Sequence, residues 1–197
     1  MAYSVVELEC PGCGAPINMS DKHCPYCGRE VVISTFNSVN NMSVLDANKQ
    51  AAAYQKAMAK NPDDKELNRS AAFCYFKLKM YDKALPCFEK AIEDNFDNSE
   101  AYFYAAICLL RGKRPFLALR SVIEKIDEYL NAALMIEPKG IYYYFFAYVR
   151  YDHHARKLLK VSPDYKELYR QAQACGLSQT DVTELYKLLG VERPGVL

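Results

Sequence analysis

The chain resembles itself at a spacing of 34 residues. That shift lays Asp63 on Asp97, Glu66 on Glu100, Ala71-Ala72 on Ala105-Ala106 and Cys74 on Cys108. The same shift backwards lays Phe88-Glu89-Lys90-Ala91 on Tyr54-Gln55-Lys56-Ala57, and Asn95 on Asn61. A period of this length in helix-forming sequence means one helical pair per unit, each too small to bury its own apolar face, so that units must stack. The residues suit that task. In the unit 65–98, Ala71 and Ala72 let one helix approach another closely, Ala84 and Ala91 do the same from the second helix, and Tyr75 and Phe88 fill the space left.

These positions resemble the tetratricopeptide repeat. The resemblance implies a mainly α fold, a TPR-like α-α superhelix, beginning with a helix at 44–60 that ends at Asn61-Pro62 and reads as the second half of an incomplete unit. Helices at 64–79 and 82–94 make the best repeat, 65–98. The next, 99–140, pairs a helix at 99–111 with one at 115–136, whose Ile126, Leu130 and Ala133 match Ala84, Phe88 and Ala91 at an offset of 42. The excess of eight residues is about two turns and suits a specific contact. The run Ile141 to Val149 is aromatic on every side, which predicts burial on more than one face. Helices from Ser162-Pro163 to Ala174, and from a Ser178–Asp181 capping box to Leu189 with Gly190 as stop, complete a divergent C-terminal cap, 141–197.

Four of eight cysteines fall in the first 27 residues, as Cys10-Pro11-Gly12-Cys13-Gly14 and Cys24-Pro25-Tyr26-Cys27-Gly28. Each pair can wrap a tight turn that aims two sulfurs at one ion, and the glycine after it admits a positive φ. Four thiolates close a tetrahedral zinc site with no open position, so one Zn2+ here is structural. The pattern resembles a zinc ribbon with two CPxCG knuckles, flanked by strand-like Val5 to Glu9 and Glu30 to Ser34. This divides the chain into a small β ribbon at 1–36, a polar linker at 37–43 and the helical repeat domain at 44–197. Cys24-Pro25-Tyr26-Cys27 also matches the glutaredoxin motif, but that chemistry needs the first cysteine at a helix N-terminus. Cys74, Cys87, Cys108 and Cys175 read as small buried helix residues.

The repeat resemblance implies a groove lined by first helices, carrying Arg69, Phe73, Phe76 and Lys77 in the best unit and Phe103, Ile107 and Arg111 in the next. Its apolar character suits a peptide or amphipathic helix of a protein partner, with burial under the chain's own C-terminal helices as the competing reading. With 25 Lys and Arg against 24 Asp and Glu, net charge is +1, and the ribbon itself is acidic, which disfavours nucleic acid. No apolar run approaches the roughly 20 residues of a membrane span, and the first residues show no export signal, so a cytoplasmic location is expected. Asp152-His153-His154 reads as a polar cluster at a helix end, and no catalytic motif is present. The expected function is a non-enzymatic scaffold or adaptor. The alternatives are a nucleic-acid- or ribosome-associated factor using the ribbon, and a CxxC thiol redox protein.

Overall fold

The computed structural model describes residues 7–93 and 97–197, which fall into two compact units, Met1–Asn95 and Phe96–Leu197. Val5-Val6 of the first expected strand, Asn95 of the repeat match and the end of the helix expected at 82–94 lie outside the described residues.

The first unit begins with a hairpin of two short antiparallel strands, β1 (Glu7–Glu9) and β2 (Pro16–Asn18), with Leu8 opposite Ile17 and both buried. The stretch Glu30 to Ser34, expected as a strand, is irregular, and among the described residues it makes one bridge, Glu30 to His23. Its main chain bonds to helix side chains instead. Within the stretch 37–43 lies most of a short helix, α1 (Phe36–Asn40), with Phe36 and Val39 buried. Three long helices follow: α2 (Val44–Met58), α3 (Lys65–Lys77) and α4 (Tyr81–Ile92). Ser43 caps α2 by accepting from the Asp46 N–H, and Asp64 caps α3 by accepting from Leu67. Each satisfies an N–H that has no carbonyl within its helix. Helices α3 and α4 meet through the alanines that the periodicity singled out, with Ala71, Ala72, Ala84 and Phe88 fully buried. The Phe73 and Phe88 rings meet edge-on at 5.3 Å.

The segment 30–40 lies along α2 and α3. Tyr54 donates to the Val31 carbonyl at 2.7 Å, and Gln50 donates to that of Glu30 at 3.1 Å. The Ile33 N–H donates to Ser70 Oγ at 3.0 Å. Further on, Phe36 packs edge-on against Phe76 at 5.3 Å, and Lys77 donates to the Asn40 carbonyl at 2.6 Å. Residues 33, 36 and 40 thus advance in step with 70, 76 and 77 of α3.

The second unit contains α5 (Ser99–Leu110), α6 (Arg120–Ile136), α7 (Gly140–Val149), α8 (Tyr165–Ala174) and α9 (Gln179–Leu189). Helix α6 starts five residues later than expected. Pro115–Leu117 instead forms a single 3-10 turn, and Ala118 and Leu119 are extended. The Phe116 N–H in this turn donates to the Asp152 carboxylate at 2.8 Å. The aromatic helix α7 is buried on more than one face, as its composition implies. Phe103 of α5 stacks on Tyr142 at 4.6 Å, while Tyr144 and Tyr148 meet Tyr186 of α9 edge-on. Ser178 caps α9 and left-handed Gly190 ends it, both as read from the sequence. Helix α8 begins at Tyr165 behind an Asp164 cap, past the expected Ser162-Pro163 start.

Two substitutions probe this packing. Phe36→Ala removes a ring wedged against α3 and is expected to destabilise the first unit by about 3 kcal/mol in denaturant titration. A Cβ at Gly140 would lie 2.7 Å from the Leu177 N and 2.8 Å from the Ala172 O. Both contacts are backbone, so Gly140→Ala is expected to destabilise by about 1–3 kcal/mol, the overpacking cost, despite alanine's better helix propensity.

Candidate functional site

The two knuckles repeat one hydrogen-bond plan. The N–H of Cys10 donates to the Ala15 carbonyl at 2.8 Å, and that of Cys24 donates to the Arg29 carbonyl at 2.7 Å. Gly14 and Gly28 donate back to the carbonyls of Cys10 and Cys24 at 2.8 and 2.9 Å, each gly at a positive φ, +76° and +74°. Each turn therefore closes only with glycine after its second cysteine. Together they place the sulfurs of Cys10, Cys13, Cys24 and Cys27 within 4.8 Å of one another. Cys10 and Cys27 are 3.5 Å apart, Cys13 and Cys24 3.8 Å. An ion held tetrahedrally at the usual zinc–sulfur length separates its sulfurs by about 3.8 Å. The four residues fit such an ion.

The electrostatics fit as well. Burial pushes the Cys10 thiol up, but N–H groups of Cys13 and Gly12 aimed at its sulfur outweigh that and bring it down to about 7. At Cys27 the Arg29 N–H favours the thiolate, yet the neighbouring Cys10 sulfur and desolvation prevail and push it up to about 12. Four thiolates in this volume repel one another, and a divalent cation removes that repulsion.

Two ion pairs join this end of the chain to α2, Arg29 to Asp46 at 3.2 Å and Glu9 to Lys56 at 3.4 Å. The second pair is largely exposed and contributes little. The contacts that matter are the buried ones from Gln50, Tyr54 and Ser70 to the 30–33 main chain. Sequence reasoning did not assign these three residues. A signal was present: Tyr54 stands where the repeat match places Phe88, and a buried phenol needs a partner that a phenyl ring does not.

The expected groove residues divide into two groups. Phe73, Phe76, Phe103 and Ile107 are buried within the chain's own core. Phe36 of the N-terminal segment covers Phe73 and Phe76, and α7 covers Phe103 through Tyr142 and Phe145. Arg69 and Lys77 are half-buried, Arg69 beside Glu66 at 3.6 Å, and Arg111 is exposed at the left-handed end of α5.

Asp152 is fully buried in a π turn, Arg150–His154, and accepts from Arg114 and Arg156 at 2.7 Å each as well as from Phe116. It anchors loops. Burial, with nearby Arg150, His153 and Lys157, holds His154 down to about 4, so this imidazole is neutral near pH 7. Cys74, Cys87 and Cys108 are buried in helices, and desolvation raises all three thiols. Cys175 departs from the expectation. It is exposed, because it follows the last turn of α8 on the solvent side.

A family model described as tetratricopeptide repeat matches residues 46–107, from α2 into α5. Among solved structures, MamA AMB-1 is similar with a TM-score of 0.50 at 16% identity, covering 75% of this chain and 84% of that one. MamA MSR-1 gives a TM-score of 0.48 at 18% identity, covering 70% and 79%. No curated protein sequence matches the chain. The fold class is the mainly α, TPR-like helical solenoid with a small N-terminal β part. No helix among the described residues is long and apolar enough to cross a membrane.

The full chain is expected to bind one zinc ion, measured by elemental analysis and by a colorimetric chelator after thiol blocking. Ligand thiols must be deprotonated, so metal affinity is lost as pH falls and recovered as it rises. In Cys24→Ser, amide exchange should accelerate at Cys10, Gly14 and Gly28 while Ile33, bonded to Ser70, keeps its protection.

Proposed function

We propose that the protein is a non-enzymatic scaffold or adaptor whose helical repeats hold a protein partner and whose N-terminal ribbon carries one structural zinc ion. The observation that carries this reading is the tetratricopeptide match over residues 46–107, because repeats of this kind generally bind proteins. The four-thiolate set supports the zinc assignment: it would cross-link the two knuckles and leave no coordination position for a substrate. Zinc bound there would hold 10–29 rigid and so set the exit of the 30–40 segment onto α3.

The burial of Phe73 and Phe76 changes how the partner is met. An apolar peptide cannot enter where Phe36 already lies, so the contact in the first unit belongs to the polar side chains that α3 leaves at least partly exposed, Glu66, Arg69 and Lys77. Rim contacts of this kind set specificity and association rate more than affinity. A redox role is disfavoured by the knuckle geometry, in which each CxxC is followed by a left-handed glycine and not by a helix. A cytoplasmic setting would keep these thiols reduced and available to zinc.

The test is affinity capture of the tagged, zinc-loaded full chain from its own cells, with and without nuclease. The companion variant is the swap Glu66→Arg with Arg69→Glu, which keeps the i,i+3 pair but inverts the charge pattern of the rim. The expected result is a discrete protein partner that survives nuclease and falls at least about tenfold with the swap, at unchanged melting temperature. Release of the captured material by nuclease would instead support the nucleic-acid alternative.

A further inference from the structure

Part of the excess of the 99–140 unit over its period lengthens α6, which has 17 residues against 12 in α4, and the rest builds the connection 111–119 before it. This loop of the second unit lies against the segment that follows the π turn. Asp152 ties the two together through Arg114, the Phe116 N–H and Arg156. The Phe116 ring completes the junction, with the Arg156 guanidinium 4.6 Å and the Lys157 ammonium 5.0 Å from its centroid.

Two properties coincide on the surface so formed. Of the eight Lys and Arg in residues 111–120 and 150–160, Arg150 is buried against Asp127, Arg114 and Arg156 share the buried Asp152, and Arg120 pairs with Glu124, whereas Lys113 and Lys160 are exposed and Lys157 is half-buried. Among these cations project Leu117, Leu119, Leu158 and Leu159, at 69%, 73%, 92% and 51% exposure. Single exposed leucines are ordinary on protein surfaces, but a cluster of them marks an interaction site. Leu158 adds an independent sign. It occupies the left-handed position after the Ala155–Lys157 turn, φ +57°, where glycine is the favoured residue and where Gly190 ends α9. The chain keeps a branched side chain in a strained backbone conformation and gains no burial from it, a pattern associated with functional sites.

We propose that this surface docks on an anionic lipid bilayer, with the four leucines entering the boundary between headgroups and acyl chains and Lys113, Lys157 and Lys160 meeting the lipid phosphates and carboxylates. Charge complementarity selects the anionic surface. The shape selects lipid, since projecting aliphatic tips enter a soft medium, whereas a rigid protein would need a pocket matched to each. A nucleic-acid backbone would use the cations and leave the leucines in water. Attachment of this kind is peripheral and combines two weak signals, apolar insertion and charge.

The test is sedimentation of the zinc-loaded full chain with phosphatidylcholine vesicles, with and without about 30% phosphatidylserine, at about 0.1 M salt. The anionic vesicles are expected to carry down at least about tenfold more protein, and about 0.5 M salt to reverse most of this. Leu117→Ser with Leu158→Ser, cations intact, should weaken binding at least about tenfold, as should Lys113→Gln with Lys160→Gln. All four positions are exposed, so an unchanged melting temperature verifies that the variants are folded. Leu158→Gly relieves the left-handed strain and should raise the melting temperature while weakening vesicle binding. Equal binding to neutral and anionic vesicles, no binding to either, or leucine variants that bind like the parent would overturn the proposal. So would an RNA oligonucleotide that displaces the vesicles and binds the leucine variants undiminished, which would reassign the surface to nucleic acid.

Discussion

Buried hydrogen bonds from helix side chains to an irregular stretch of main chain organise the first unit. Between the second knuckle and α1, the chain carries peptide groups into an interior built of helices, where each unpaired N–H or C=O costs about 1–3 kcal/mol. Gln50, Tyr54 and Ser70 meet that cost, and each is fully buried. Once those bonds are made, Phe36 and Val39 are carried onto α3, and the apolar face that a repeat leaves open is covered from within the chain. The segment that precedes α2 and packs on α3 is thus an irregular stretch followed by the five-residue helix α1. Stacking requires that a neighbour cover each open face, and an irregular segment with a short helix satisfies that requirement here.

The ribbon and the helices are therefore mechanically linked in the first unit. A ribbon of this size has too small an apolar interior to hold itself together and depends on its metal or on its neighbours. Here four cysteine sulfurs that could hold an ion stand at one end and an anchored tail at the other. Zinc would define where the tail starts, and the side chains of α2 and α3 define where it lies. The same logic of one buried polar group holding irregular chain recurs in the second unit. Asp152 accepts three hydrogen bonds and fixes two loops that no secondary structure connects.

Much of the local structure was legible beforehand because its causes are local. Ser43 and Ser178 start helices because their hydroxyls reach an N–H three residues on, and Gly14, Gly28 and Gly190 supply the backbone freedom that a turn demands. The early end of the helix expected at 115–136 was not legible. The stretch before Arg120 is held instead by a contact far along the chain, from the Phe116 N–H to the Asp152 carboxylate 36 residues further on. Net charge is a sum over the whole chain and does not tell which charged segments the fold sets side by side.

By itself, then, the sequence determined the pieces: four cysteines in two knuckles whose sulfurs come together, helical pairs whose small residues let them close, and the caps at which most of the helices begin and end. Each depends on residues a few positions apart, where covalent geometry and hydrogen-bond reach decide the outcome. Tertiary structure decided which surfaces remain in water. Phe73 and Phe76 line a groove in the repeat pattern and are core in the fold, while Leu117 and Leu158 look like ordinary apolar residues and stand exposed. Periodicity tells which residues share a face, but not what covers that face, because the covering contacts join positions far apart in the chain and are settled only when the whole unit packs.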